Sequence, residues 1–343
     1  MMPLQFFILI LLSFAFIPSH SIFASEEKNS ALLPTLPQKA LEPEDNMGTP
    51  AKIKLGKELY MDPRLSFDGN SSCNTCHNVM AGGDDNRAVS TGINGQKGRR
   101  SSPTVWNAAF LSVQFWDGRA PNLEEQALGP LTNPVEMGNP DHGHVVATLR
   151  KIPGYVKEFN EVFGSKDALN KQNIAAAIAA FERTLITPNS PYDRYARGNK
   201  RALTPQAIKG MNLVQEVGCT SCHSGALFAG PDLPMGTGFY QKFPVYPGSP
   251  YEAKYKLTED LGRFEVTHRE SDKNMMRVPT WRNIALTAPY FHNGSVDNLE
   301  EAVRVMAKMQ LNRELPSDDV TAIVAFLKSL TGEFPKITMP RLP

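Results

Sequence analysis

The chain has 343 residues, with 36 Lys+Arg against 35 Asp+Glu and a formal net charge of +1. At 41% hydrophobic and 21% charged residues the composition is globular, which excludes a wholly disordered chain, and the even charge balance removes the electrostatic basis for nucleic-acid binding. Four cysteines are too few for a disulfide scaffold, and a prior of about 150 residues per domain suggests two domains.

From the N-terminus, residues 6–17 are nearly all apolar. The run falls short of the ~20 residues a membrane span needs, and Ala24 offers a small residue for cleavage. Residues 1–24 are therefore expected to be a secretory signal peptide. Residues 1–7 lack Lys and Arg, which departs from the usual pattern and leaves uncleaved anchoring as the alternative.

Ile53, Leu55, Leu59 and Tyr60 predict an amphipathic helix just before Cys73-Asn74-Thr75-Cys76-His77. A second helix is expected over 172–186, with Ile174, Ile178, Phe181 and Leu185 at core spacing and Thr187-Pro188 as its stop. Residues 187–200, rich in Pro, Asn, Ser and Gly, mark a domain boundary, giving one domain over 25–188 and another over 189–343. Thr204 as N-cap and Pro205 at the first helical position open a helix with Ile208, Met211, Leu213, Val214 and Val217 inward. It leads into Cys219-Thr220-Ser221-Cys222-His223. Residues 231–255 read as a loop rich in Gly, Pro and Tyr. Asn298, with Glu301 three residues on, has the capping-box pattern, and Leu299, Ala302, Val303 and Met306 form the apolar face behind it. A last helix from Ser317 is expected to bury Val320, Ile323, Val324, Leu327 and Leu330. With 27 prolines, 25 glycines and no strand pattern beyond a few residues, the fold class is mainly α with much loop.

Both pentapeptides are C-x-x-C-H, and they use all four cysteines. Two thiols at this spacing reach two vinyl groups of one porphyrin, and an imidazole from the same turn faces its iron. Cys73, Cys76 and His77, and again Cys219, Cys222 and His223, are thus each expected to attach one haem c, giving two cytochrome c-like units. A four-cysteine zinc site or a redox dithiol is the alternative. Zinc does not require a histidine after each pair, and a redox dithiol usually occurs once, in a βαβ context. The far side of each iron is open to His20, His142, His144, His268 or His292, or to a methionine such as Met275, Met276, Met306 or Met309. A thioether closes the iron and raises its potential, whereas an open face admits peroxide or another small ligand.

Beyond the two motifs, the strings at residues 103–105, 114–120, 133–137, 180–184, 277–280, 282–283, 288–292 and 310–314 resemble the bacterial di-haem cytochrome c peroxidases, over nearly the whole mature chain. The resemblance implies a periplasmic enzyme that reduces hydrogen peroxide to water with electrons from a small cytochrome c or a cupredoxin. It implies His77 as proximal ligand of the peroxidatic haem, and His223 with Met306 as ligands of the high-potential haem, Met275 being the alternative. Trp116 matches the tryptophan between the haems, and Gln126 and Glu136 match the distal polar pair, with Glu136 as proton shuttle. It further implies a homodimer and an interface calcium ion, two of whose ligands match the backbone carbonyls of Thr287 and Pro289.

Two positions depart from the family pattern. Many members carry an iron-closing histidine where this chain has Ile93, and Ile cannot ligate iron. The peroxidatic iron is therefore expected to be five-coordinate in the oxidised protein. Ser101 stands where the calcium site usually has Asn. Related di-haem proteins use peroxide to oxidise a protein substrate during cofactor maturation, typically with Tyr at the position of Met306; that activity, and a pure di-haem electron carrier, are the other functions weighed.

Overall fold

The computed structural model describes residues 32–343; the expected signal peptide and His20 lie outside the described residues. Helix α1 (Pro50–Met61) opens where Thr49 caps it, its side chain accepting from the Lys52 amide, with Pro50 at the first position. Its Leu55, Leu59 and Tyr60 are fully buried. A single turn, α2 (Cys73–Cys76), carries the first motif. It is followed by α3 (Leu123–Thr132), α4 (His142–Arg150), α5 (Pro153–Phe163) and α6 (Lys171–Glu182).

Helix α6 ends before the expected Ile186. The amides of Thr184 and Leu185 reach back only three residues, to Phe181 and Glu182, so the backbone has tightened out of the α-helix. Leu185 stays fully buried, which is why its spacing looks helical in the sequence.

The segment expected as a linker holds α7 (Pro191–Ala196), started by a Ser190–Asp193 capping box. Then α8 (Pro205–Val217) begins as expected, the Thr204 hydroxyl accepting from the Ala207 amide at 3.1 Å. The stretch expected as loop contains strand β1 (Tyr240–Lys242) and α9 (Pro250–Tyr255). After α10 (Phe264–Thr267), strand β2 (Met275–Arg277) pairs antiparallel with β1, Tyr240 opposite Arg277.

The last helices are α11 (Leu299–Leu311) and α12 (Ser317–Lys328). Asn298 caps α11 by accepting from the Glu301 amide at 2.8 Å. The reciprocal half of the expected box is absent, because the Glu301 carboxylate instead accepts from the Tyr255 hydroxyl at 2.6 Å. All five residues expected to be buried by α12 and its end are buried.

The buried side chains gather into two main clusters. One runs from Leu55 to Leu185, the other from Tyr192 to Leu330. Both are built around one helix crossing. On α1, a Cβ at Gly56 would lie 1.8 Å from the Ala177 carbonyl of α6; on α8, a Cβ at Gly210 would lie 1.9 Å from the Ala322 carbonyl of α12. Only glycine permits backbones that close. In each case the glycine-bearing helix leads into a C-x-x-C-H motif, so one packing plan is used twice. The chain ends cross over: Leu33 packs on the second cluster and Ile337 on the first, with Phe334 edge-on to Trp106 at 4.8 Å. No helix among the described residues is long and apolar enough to cross a membrane.

Candidate haem sites

The first motif lines a cavity of about 510 Å³. Cys73, Cys76 and His77 are on its wall, with Gln126 from α3, and with Asn133 and Glu136 from the loop that follows. The His77 Nδ1 lies 2.9 Å from the Pro103 carbonyl. A carbonyl only accepts, so Nδ1 carries the proton and Nε2 keeps its lone pair. Burial lowers the His77 pKa, which holds the ring neutral and fit to ligate a metal. The Tyr60 hydroxyl donates to the His77 carbonyl at 2.7 Å and fixes the turn from behind.

Burial also raises the Glu136 pKa, opposed by the Arg119 charge and by the Asn133 amide, which donates to Oε1 at 2.8 Å. Arg119 shares this cavity wall. Ile93 is buried beside the cavity; Gly92 lines it, and the Ile93 amide donates to the Glu136 carbonyl at 2.9 Å.

The second motif lines a cavity of about 370 Å³. Cys219, Cys222 and His223 line it together with Met306 and Val303 of α11. The His223 Nδ1 lies 2.9 Å from the Phe228 carbonyl, again leaving Nε2 free, and the ring stacks on Trp281 at 4.2 Å. Burial pushes its pKa down to about 4. Met276 also reaches this wall, whereas Met275 and Met309 line neither cavity, nor do His142, His144 and His268. His292 lines the second cavity.

Trp116 and residues 101–104 line both cavities. The Trp116 indole donates to the Ser101 carbonyl at 2.9 Å, which ties the ring to that shared wall. Thr287, Pro289 and Ser101 all line the second cavity, and neither the Thr287 nor the Pro289 carbonyl accepts a hydrogen bond among the described residues. That set offers neutral oxygens, which suit calcium in kind.

Burial raises the Cys73 thiol well above its ordinary range and the Cys219 thiol to about 11. Zinc ligands and redox dithiols need the thiolate, which this environment opposes. The two pairs also open onto separate cavities, and among the described residues no group of three or more His, Cys, Asp or Glu is placed to hold a bare metal ion. Two free imidazole Nε2 atoms, each beside a cysteine pair on a ligand-sized cavity, fit porphyrin iron.

Several wall residues were not singled out from the sequence. Glu182 of α6 lines the first cavity, wholly buried, and burial pushes its pKa up to about 8. Arg100 ties that wall to the second half of the chain, pairing with Asp117 at 2.5 Å and Asp260 at 2.6 Å. The one available signal for Glu182 was an acid inside an apolar helical run, in the 180–184 string.

A family model described as di-haem cytochrome c peroxidase matches residues 50–201. The chain is 44% identical to the cytochrome c551 peroxidase of Nitrosomonas europaea, covering 94% of this chain and 91% of that protein. It is 33% identical to the methylamine utilization protein MauG of Methylorubrum extorquens, over 90% of this chain and 86% of that one. A solved MauG-like protein associated with microbial copper homeostasis superposes with a TM-score of 0.75 at 28% identity, covering 88% of this chain and 95% of the other.

Proposed function

Because this chain belongs to the di-haem cytochrome c peroxidase family, we propose how its own side chains divide the work of peroxide reduction between two haem domains, one per core. It is a peroxidase that uses electrons from a cytochrome to reduce hydrogen peroxide. The greater identity to a peroxidase than to a MauG protein favours this activity over oxidation of a protein substrate.

One observation carries the assignment. Each C-x-x-C-H histidine is fixed through Nδ1 with Nε2 free, yet carboxylates, Glu136 among them, line the first cavity and none lines the second, where Met306 and Met276 offer thioethers; Met137 also lines the first. When bound, the two haems would supply iron centres able to pass single electrons and to take up peroxide. His77 would hold the peroxidatic iron through its free Nε2. Gln126 donates to the peroxide and orients it. Glu136 takes a proton from one peroxide oxygen and returns it to the other as the O–O bond breaks. Two electrons and two protons convert the peroxide to two waters. His223 and Met306 would hold the other haem's iron, and the thioether would keep its potential high. Trp116, on the wall common to both cavities, bridges the electron path. Ile93, a side chain that cannot ligate iron, would leave the peroxidatic haem accessible to peroxide in the oxidised protein.

The wider setting belongs to the same proposal. The protein is exported to the periplasm, works as a homodimer, and takes electrons from a small cytochrome c or a cupredoxin. A calcium ion bound by the Thr287 and Pro289 carbonyls braces the join beside Ser101. The test of function is to mix reduced cytochrome c, hydrogen peroxide and the oxidised holoprotein. Rapid cytochrome oxidation is expected; peroxide consumption that leaves the cytochrome reduced would overturn the peroxidase assignment.

A further inference from the structure

Almost every residue on the wall of the first cavity is buried or half-buried. Arg99, Arg119 and Val266 are the exposed ones, and they mark its mouth. Arg119 places that mouth on the side of Gln126 and Glu136. Its guanidinium lies over the Phe115 ring at 3.5 Å, and Phe115 rests on α3, where a Cβ at Gly129 would meet the ring at 3.4 Å. The same helix carries Gln126, and the Arg119 charge acts on Glu136.

Val266 and its neighbour Glu265 reach this cavity from the other half of the chain, on the single turn of α10. The turn lies between Gly262 and His268, both at positive φ, 60° and 55°. A Cβ at Gly262 would lie 2.3 Å from the Met275 carbonyl, so glycine is required where the chain enters the turn. The Glu265 carboxylate accepts from Arg99 and, at 3.3 Å, from Arg100. Arg263, where α10 starts, donates to the Asp117 carbonyl at 2.9 Å. These ties fasten α10 to the cavity wall with Val266 at the mouth. The charges there are matched: Arg99, Arg100 and Arg119 meet Asp117, Asp260 and Glu265. No arginine is left over to draw in an anion, and an apolar side chain shares the rim. Such a rim suits a small neutral molecule, because an ion would shed water there without gaining a partner.

We propose that α10 filters entry to the peroxidatic cavity: Val266 and the Arg99–Glu265 pair size its mouth, admitting hydrogen peroxide and holding back bulky or anionic oxidants. The inference rests on the peroxidase reading of that cavity and names the substrate class it admits. A rim acts on passage and not on the bound ligand, so it changes association and dissociation together and leaves affinity as it was.

The test uses the oxidised holoprotein and its Val266→Ala, Val266→Trp and Glu265→Gln variants, all at surface-accessible positions. Stopped flow follows entry and exit of hydrogen cyanide, a small neutral probe, and of azide, a small anion. Turnover is compared for hydrogen peroxide and cumene hydroperoxide. Val266→Trp is expected to slow cyanide entry and exit alike, several-fold, and to lower kcat/KM for hydrogen peroxide. Val266→Ala should speed both and raise turnover of cumene hydroperoxide relative to hydrogen peroxide several-fold. Glu265→Gln, which leaves Arg99 without its anion, should speed azide entry more than cyanide entry. Unchanged exchange rates in both Val266 variants overturn the proposal, and so does an altered cyanide affinity at an unaltered entry rate, which would put Val266 inside the cavity. A wild-type protein that binds cyanide but oxidises no cytochrome with hydrogen peroxide removes the peroxidase reading instead, and the exchange rates still decide the mouth.

Discussion

The amide of Ile93 donates to the carbonyl of Glu136 at 2.9 Å. The loop around Ile93 is thereby fastened to the backbone of the residue proposed to move the proton. Its neighbour Gly92 comes closer still: a Cβ there would lie 2.2 Å from the Val135 carbonyl and 2.6 Å from that of Glu136. Gly92→Ala must therefore displace backbone. We expect it to cost about 1–3 kcal/mol in urea unfolding and to depress peroxide turnover while both haems stay attached. Unimpaired turnover would show that the loop does not position Glu136.

Glu136→Gln keeps the shape and removes the base. Turnover is expected to fall by about 10²–10⁴ with haem content unaltered. Burial raises the Glu136 pKa, so the wild-type enzyme should lose activity on acidification at a higher pH than an exposed carboxylate would allow. The residual activity of the variant should lack that acid limb. Equal rates in variant and wild type remove Glu136 from the mechanism.

Glu182 couples stability to pH. Burial lifts its pKa from 4.5 to about 8. Between those values the folded state holds a proton that the unfolded chain has released. This contribution is fully present below pH 4.5 and is lost as pH rises toward 8, by at most about 1.4 kcal/mol per unit. Glu182→Gln should therefore gain stability relative to wild type across that window, read from denaturant midpoints at several pH values. A difference that does not change with pH contradicts the neutral-acid assignment.

Met306→His should leave the second iron six-coordinate and lower its potential, since a thioether favours the reduced metal more than imidazole does. Spectroelectrochemistry checks it. An unaltered potential would mean that another group, such as Met276 on the same wall, caps that iron.

Asp193 and Arg282 form an ion pair with no exposed side-chain surface. Asp193 also accepts from the Leu36 amide at 3.1 Å, holding the N-terminal segment on the second core. Asp193→Ala leaves a buried cation and should cost about 3–5 kcal/mol in urea unfolding. A loss below about 1 kcal/mol, the range of exposed pairs, would mean the pair is solvated in solution.

What the sequence made legible was local. The two C-x-x-C-H motifs, the Thr204 cap and the inward faces of α1, α8 and α12 all depend on residues a few positions apart. Strand β1 was not legible, because Tyr240 pairs with Arg277 across a long loop and three residues carry no periodicity of their own. The end of α6 was misjudged because Leu185 keeps a core position after the helix has tightened. The two cavities collect the expected Gln126, Glu136, Met306 and Trp116. They also collect Glu182, Arg277 and His292, whose burial is decided by tertiary packing and leaves no local trace.

The account turns on an inequality between the two irons, and a cyanide titration of the fully oxidised holoprotein, followed by electron paramagnetic resonance, tests it most directly. One cyanide per chain should bind, converting a high-spin signal while the thioether-capped iron stays low-spin. Uptake of none, or of two, would contradict it.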